Sequence, residues 1–229
     1  MKKIMMPKRV EMVEEDEDDK VENFCSKEEL KTFLECCKKD LSMKWYSLFR
    51  LLAFSGMRKS EALALTWKDI NFEESTISIS KAVARNENGL YLKPPKNKTS
   101  YRTITIDGVT LGILKDWRKK QTVDYFKLGY NTMNDNQYIF PNLKNKFIDP
   151  NQTVPIINKI IKENDLTKIT THGLRHTHCS LCFEAGMRVE EVKERLGHSD
   201  IQTTMNIYTH VTKEAKSASA EKFANYIGF

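Results

Sequence analysis

Four side chains between Thr171 and Val211 are of the types that handle a phosphate group: His172, Arg175, His198 and Tyr208. His172 and Arg175 stand three residues apart in the run Thr171-His172-Gly173-Leu174-Arg175-His176-Thr177-His178. On a helix that spacing projects both from one face. His198 follows in Leu196-Gly197-His198-Ser199-Asp200, and Tyr208 in Ile207-Tyr208-Thr209-His210. A guanidinium is always charged and offers a planar fork of donors to phosphate oxygens. An imidazole passes protons near neutral pH. A phenol, with a pKa of about 10, is a nucleophile only when nearby cations and a proton acceptor activate it. Each residue alone is ordinary, since a single histidine or tyrosine is more often a packing residue.

The wording around these residues narrows the reading. His172-x-Leu174-Arg175-His176-Thr177, Leu196-Gly197-His198-Ser199 and Tyr208-Thr209-His210-Val211 resemble the boxes of the tyrosine recombinases, the phage integrases and their conjugative-transposon relatives. The resemblance extends to Ser55-Gly56-Met57-Arg58-x-Ser60-Glu61 with Leu65, the box that carries the family's first active-site arginine. It therefore implies that Arg58, which by local sequence is only a surface arginine at a helix turn, is catalytic. Glu61, one turn on, would hold it through a charge-assisted bond. The family's catalytic lysine lies in a Pro-Lys-Thr-Lys-Ser-Ser-x-Arg-Thr-Ile-like phrase. Aligned without a gap, that phrase selects Lys96; Asn97 replaces the usual threonine, and a slip of one or two residues would select Lys98.

Two arginines, a lysine, two histidines and a tyrosine suit a phosphodiester without a metal or other cofactor. Two-metal nucleases need several Asp/Glu ligands on convergent elements, and no such set can be assembled here. Preorganised cations at the non-bridging oxygens, where charge builds in the transition state, would do that work. By resemblance, Tyr208 attacks the phosphorus, His172 accepts its proton or binds phosphate, His198 donates to a phosphate oxygen, and Lys96 protonates the departing 5′ oxygen. The product would be a 3′-phosphotyrosyl link and a free 5′-hydroxyl, so that rejoining needs no ATP. Cys179-x-x-Cys182 beside His176 and His178 has the look of a zinc motif. On one helix these residues do not readily converge as four ligands, so His178, Cys179 and Cys182 read as packing residues, and His210 as structural.

The elements that must position these residues follow from periodicity and caps. Ser26 with Glu29 opens a helix that ends near Asp40, and Met43 to Ser55 repeats Trp45, Leu48, Leu51 and Leu52 at helical spacing. Gly56 breaks that helix before another begins and runs through Leu65. Thr76–Ser80, Leu90–Lys93 and Arg102–Ile106 alternate like strands of one small antiparallel sheet, with a lysine-rich hairpin tip between the last two. Asp107 caps a helix from Val109 to about Leu128; a further helix starts near Pro155, and another covers Val189–Leu196. Tyr208 is expected at the end of a helix capped by Ser199 or Asp200, before a last helix from Thr212. The fold class is mainly α with a small antiparallel β-sheet.

Of the net charge of +6, residues 1–24 hold five Lys/Arg against eight Asp/Glu, leaving +9 on residues 25–229. A basic body favours a polyanionic partner. Residues 1–24, with Glu14-Glu15-Asp16-Glu17-Asp18-Asp19, read as an acidic interdomain linker, and 25–229 as the recombinase catalytic domain. Five cysteines, an odd number without framework spacing, suit a reducing cytoplasm. No apolar run reaches the ~20 residues of a membrane span. The resemblance implies double-stranded DNA as the partner, with a tetramer on DNA and a monomer without it. It also implies a fragment lacking the family's N-terminal DNA-binding domains. The alternatives are a type IB topoisomerase-like enzyme, or a catalytically silent DNA-binding module.

Overall fold

The computed structural model describes residues 23–94, 100–198, 201–202 and 204–205. Helix α1 (Lys27–Asp40) starts where the Ser26 hydroxyl accepts the Glu29 N–H at 3.2 Å and the Glu29 carboxylate accepts the Ser26 N–H at 2.8 Å. This reciprocal pair satisfies two donors that a helix start otherwise leaves open. Helix α2 (Met43–Ser55) stops at Gly56, whose φ of 64° suits a residue without a Cβ. Helix α3 (Lys59–Ala64) follows at once. Leu48, Leu51 and Leu52 are buried, and α2 packs against α1, α3 and two later helices, α4 (Gly108–Phe126) and α6 (Gly173–Glu184). Helices α5 (Thr153–Glu163) and α7 (Val189–Leu196) complete the helical layer.

The strands lie between α3 and α4. They are β1 (Ile70–Asn71), β2 (Thr76–Ile79), β3 (Ala82–Asn86), β4 (Gly89–Lys93) and β5 (Arg102–Thr105). They form two antiparallel sheets, β1-β2-β5 and a separate β3-β4 hairpin. Ile77 sits opposite both Ile70 and Ile104, and all three side chains turn into the core. The single sheet read from the sequence is corrected here. Leu90–Lys93 pairs with Ala82–Asn86 rather than with the Arg102 strand, because the two-residue turn Glu87-Asn88, followed by Gly89 at φ 109°, folds β4 straight back on β3.

Two buried tryptophans find acceptors for their indole N–H groups. The indole N–H of Trp67 donates to Gln121 at 2.8 Å, and that of Trp117 to the Ile139 carbonyl at 2.7 Å. Asp107 caps α4 by accepting the Thr110 N–H at 3.0 Å. Helix α5 begins two residues before Pro155, since the first turn leaves its N–H groups without helical acceptors and loses nothing to proline. A smaller cluster of Cys179, Cys182, Phe183, Val192 and Leu196 joins α6 to α7. Among the described residues no helix is long and apolar enough to cross a membrane. Residues 1–22, the stretch 95–99 with Lys96 and Lys98, and 206–229 with Tyr208 and the last helix expected from Thr212 lie outside the described residues.

Candidate active site

Arg58 is the residue immediately before α3, and its main-chain N–H donates to the Glu61 carboxylate at 2.9 Å. Its guanidinium Nη1 reaches the same carboxylate at 3.1 Å, so backbone and side chain are both fixed by one partner. Glu61 is buried and also accepts two bonds from Arg102, at 2.8 and 3.1 Å. Burial alone would raise the Glu61 pKa. The Arg102 hydrogen bonds and charge, with Arg175 and Arg58 nearby, outweigh burial and hold the group down at about 2.

Arg175 lies in the first turn of α6 and is only 4% exposed. Its Nη1 donates to the Gly56 carbonyl at 2.7 Å and its Nη2 to the Leu196 carbonyl at 2.8 Å. Both acceptors belong to helix ends closed by a left-handed glycine, Gly56 after α2 and Gly197 after α7. Helix α6 is itself clamped from the N-terminal side. Asn23 bonds Thr170 through its side chain at 2.7 Å and accepts the Thr170 N–H at 3.0 Å, while the Cys25 N–H donates to Thr177 at 2.9 Å.

His172 precedes α6, and its ring meets that of His176 edge-on at 4.7 Å between centroids. Burial first, then the charges of His176, Arg175, Arg58 and Lys59, push its pKa down to about 3. His198 follows Gly197, and its Nδ1 lies 2.8 Å from the Thr204 hydroxyl. Burial, with Arg175, Arg58, His176 and Arg102 nearby, pushes it down to about 2. Both histidines are therefore neutral at physiological pH. Both also feel the charges of Arg58 and Arg175, so these four side chains are electrostatically coupled.

Beneath the site, His178 Nδ1 lies 2.9 Å from the Ala53 carbonyl, and Arg195 Nε donates to His178 Nε2 at 2.9 Å. A carbonyl can only accept and a guanidinium can only donate, which fixes the neutral Nδ1–H tautomer. Burial and the Arg195 charge push the His178 pKa down to about 4 against the pull of the Ala53 bond. Both ring nitrogens of His178 are thus used in holding α6, α7 and α2 together. Cys179 and Cys182 face the cluster with Phe183, Val192 and Leu196, and burial pushes the Cys179 thiol up to about 12. These are packing residues, as their place on the helix suggested.

The sequence matches a family model over most of the chain. The model of the phage integrase family covers residues 23–215. The chain belongs to the phage integrase family. Among its relatives is a XerC-like tyrosine recombinase of Caldanaerobacter subterraneus subsp. tengcongensis, 32% identical over 231 residues, covering 96% of this chain and 57% of that protein. The ICEBs1 integrase of Bacillus subtilis is 31% identical over 204 residues, covering 87% and 53%. The chain thus spans a little over half the length of these relatives. Its fold is that of the Tn1549 transposon integrase solved with transposon right end DNA (TM-score 0.74, 24% identity, 88% of this chain and 66% of that one). XerH site-specific recombinase bound to palindromic difH substrate superposes with a TM-score of 0.65 at 27% identity, over 88% of this chain and 53% of that one. The tyrosine-recombinase resemblance and the mainly α fold with small antiparallel sheets are borne out.

Arg58 and Arg175 act electrostatically on both His172 and His198, and Glu61 binds Arg58. Lys96 and Tyr208 lie outside the described residues. Sequence reasoning overlooked Arg102, which shares Glu61 with Arg58, and Arg195, which orients His178. The Arg-Thr-Ile at the end of the lysine phrase was the available signal for Arg102.

Proposed function

We propose that this chain carries the catalytic domain of a site-specific DNA recombinase acting through a 3′-phosphotyrosine, and serves integration or excision of a mobile element. Tyr208 Oη attacks the scissile phosphorus, the P–O5′ bond breaks, and the phenolic proton passes to neutral His172. Lys96 protonates the 5′ oxygen; the reverse steps, with the 5′-hydroxyl of another strand as nucleophile, seal the exchange. Arg58 and Arg175 hold the non-bridging oxygens, where charge grows in the transition state. His198 acts as a donor to phosphate through Nε2–H in the tautomer whose Nδ1 accepts from the Thr204 hydroxyl.

The observation that carries this reading is the charge of two guanidiniums, Arg58 and Arg175, acting on two buried histidines, His172 and His198, while the carboxylate of Glu61 is engaged by Arg58 and Arg102. The names of the relatives, tyrosine recombinases and integrases, agree with it. The acidic stretch that precedes Asn23 then serves as an interdomain linker, and double-stranded DNA is the partner on which four protomers assemble from monomers in the cytoplasm. The test is incubation with a nicked suicide duplex in excess EDTA without nucleotide. An SDS-stable protein–DNA adduct is expected. A strict need for Mg²⁺ in the chemical step would contradict the reading. Site-independent relaxation of supercoiled DNA would point to a topoisomerase.

A further inference from the structure

We infer that Arg102 is a positioning residue that fixes Arg58 through Glu61 and ties it to the Ser100 carbonyl and to the turn before His198; this rests on the recombinase reading above. Arg102 opens β5, two residues after Ser100, and its side chain is only 6% exposed. All three guanidinium nitrogens are engaged. Nη2 and Nη1 grip the Glu61 carboxylate at 2.8 and 3.1 Å, Nε donates to the Arg195 carbonyl at 2.9 Å, and Nη1 also reaches the Ser100 carbonyl at 3.3 Å. The turn at Gly197 lies directly against this side chain: a Cβ there would sit 2.9 Å from Arg102 Cδ and 3.0 Å from Nη1.

The physical need for such a residue comes from Arg58 itself. An arginine paired with a glutamate three residues on, at a helix start, is free to swing if that glutamate is free. Here Glu61 is buried and held by the fork of Arg102, so the carboxylate that receives Arg58 cannot follow it into solvent. The same guanidinium binds the Ser100 carbonyl and the end of α7, one residue before the Leu196 carbonyl that anchors Arg175. Spent on these partners, Arg102 acts on the phosphate only through the others. Its loss is expected to misplace Arg58 without removing a phosphate ligand, and small misplacements of catalytic groups cost on the order of 10–100-fold in rate.

The test is single-turnover covalent attachment to a nicked duplex by the full chain, read as maximal rate and half-saturating protein concentration, each corrected for the folded fraction. For Arg102→Met the maximal rate should fall by about tenfold or more, with the half-saturating concentration unchanged. Arg102→Lys, which keeps the charge and loses the fork, should be intermediate. In an Arg58→Lys background, Arg102→Met should cost much less than it does alone. A wild-type maximal rate per folded molecule, a loss confined to half-saturation or folded fraction, or full multiplicative loss in the Arg58→Lys background would overturn the inference. If Arg102→Met does not fold, Arg102→Lys decides: attachment at the wild-type rate refutes the idea. Wild-type protein that forms no adduct refutes the recombinase reading instead, and this inference with it.

Discussion

Replacing Gly56 by alanine should unfold the site from its centre. Gly56 has a φ of +64°, and a Cβ there would lie 2.5 Å from His178 Cδ2 and 2.6 Å from Leu196 Cδ2. The left-handed conformation costs an alanine about 1–2 kcal/mol, and forcing atoms into a packed interior costs about 1–3 kcal/mol more. The sum, roughly 2–5 kcal/mol, corresponds to a fall in Tm of about 5–15 °C for a domain of this size. The neighbours that must yield are the ring that bonds Ala53 and Arg195 and the residue whose carbonyl accepts from Arg175, while the carbonyl of Gly56 is itself the other Arg175 acceptor. The rate of covalent attachment by the folded fraction should therefore also drop by about tenfold or more. Gly129→Ala is the control, since Gly129 has a φ of +83° with nothing within 4 Å of its Cβ position. It should show the backbone cost alone. Thermal melts followed by circular dichroism, with suicide-duplex attachment in parallel, measure both effects. A Gly56→Ala protein that melts no lower than Gly129→Ala, with a wild-type attachment rate, would refute this account of how Arg175 is held.

Acidification should destabilise the fold below about pH 6.5, because His172, His178 and His198 resist protonation in the folded state, with values of about 3, 4 and 2, whereas the unfolded chain takes up protons. Each adds a slope of up to about 1.4 kcal/mol per pH unit between its unfolded and folded values, so a Tm that stays level from pH 7 to pH 5 would count against their burial. His178→Leu leaves the Ala53 carbonyl and Arg195 Nε without this partner, and at about 1–3 kcal/mol for a buried group left unpaired should be among the most damaging changes on α6; urea midpoints unchanged from wild type would contradict the network. Lys96→Ala should slow cleavage of an ordinary phosphodiester far more than that of a 5′-bridging phosphorothiolate, whose thiolate leaves unprotonated. If Lys98→Ala shows that pattern instead, the lysine phrase is read one slip out of register.

What could be read in the sequence was what local chemistry fixes. Helices α1, α2 and α7 end where read because their ends are set by local residues: the Ser26–Glu29 box, Gly56 and Gly197. The recombinase boxes were legible because each carries several residues at fixed spacing. The strand pairing was not. Ala82-Val83-Ala84 is buried on three consecutive residues and gives no alternation to read, although Asn88-Gly89 was an available turn signal. The roles of Arg102 and Arg195 were illegible for a different reason. Their partners, Glu61 and His178, lie 41 and 17 residues away, and no local period marks a contact made across the fold.

The residue that becomes bound to DNA decides the proposed chemistry most directly. A nicked suicide duplex should be trapped on the wild-type protein, and digestion of the adduct followed by mass spectrometry should place a 3′-phosphonucleotide on the peptide containing Tyr208. Tyr208→Phe should bind the same duplex with near-normal affinity, melt like the wild type and give no adduct. An SDS-stable adduct in the Tyr208→Phe protein, or modification mapped to another tyrosine, would contradict the proposed chemistry.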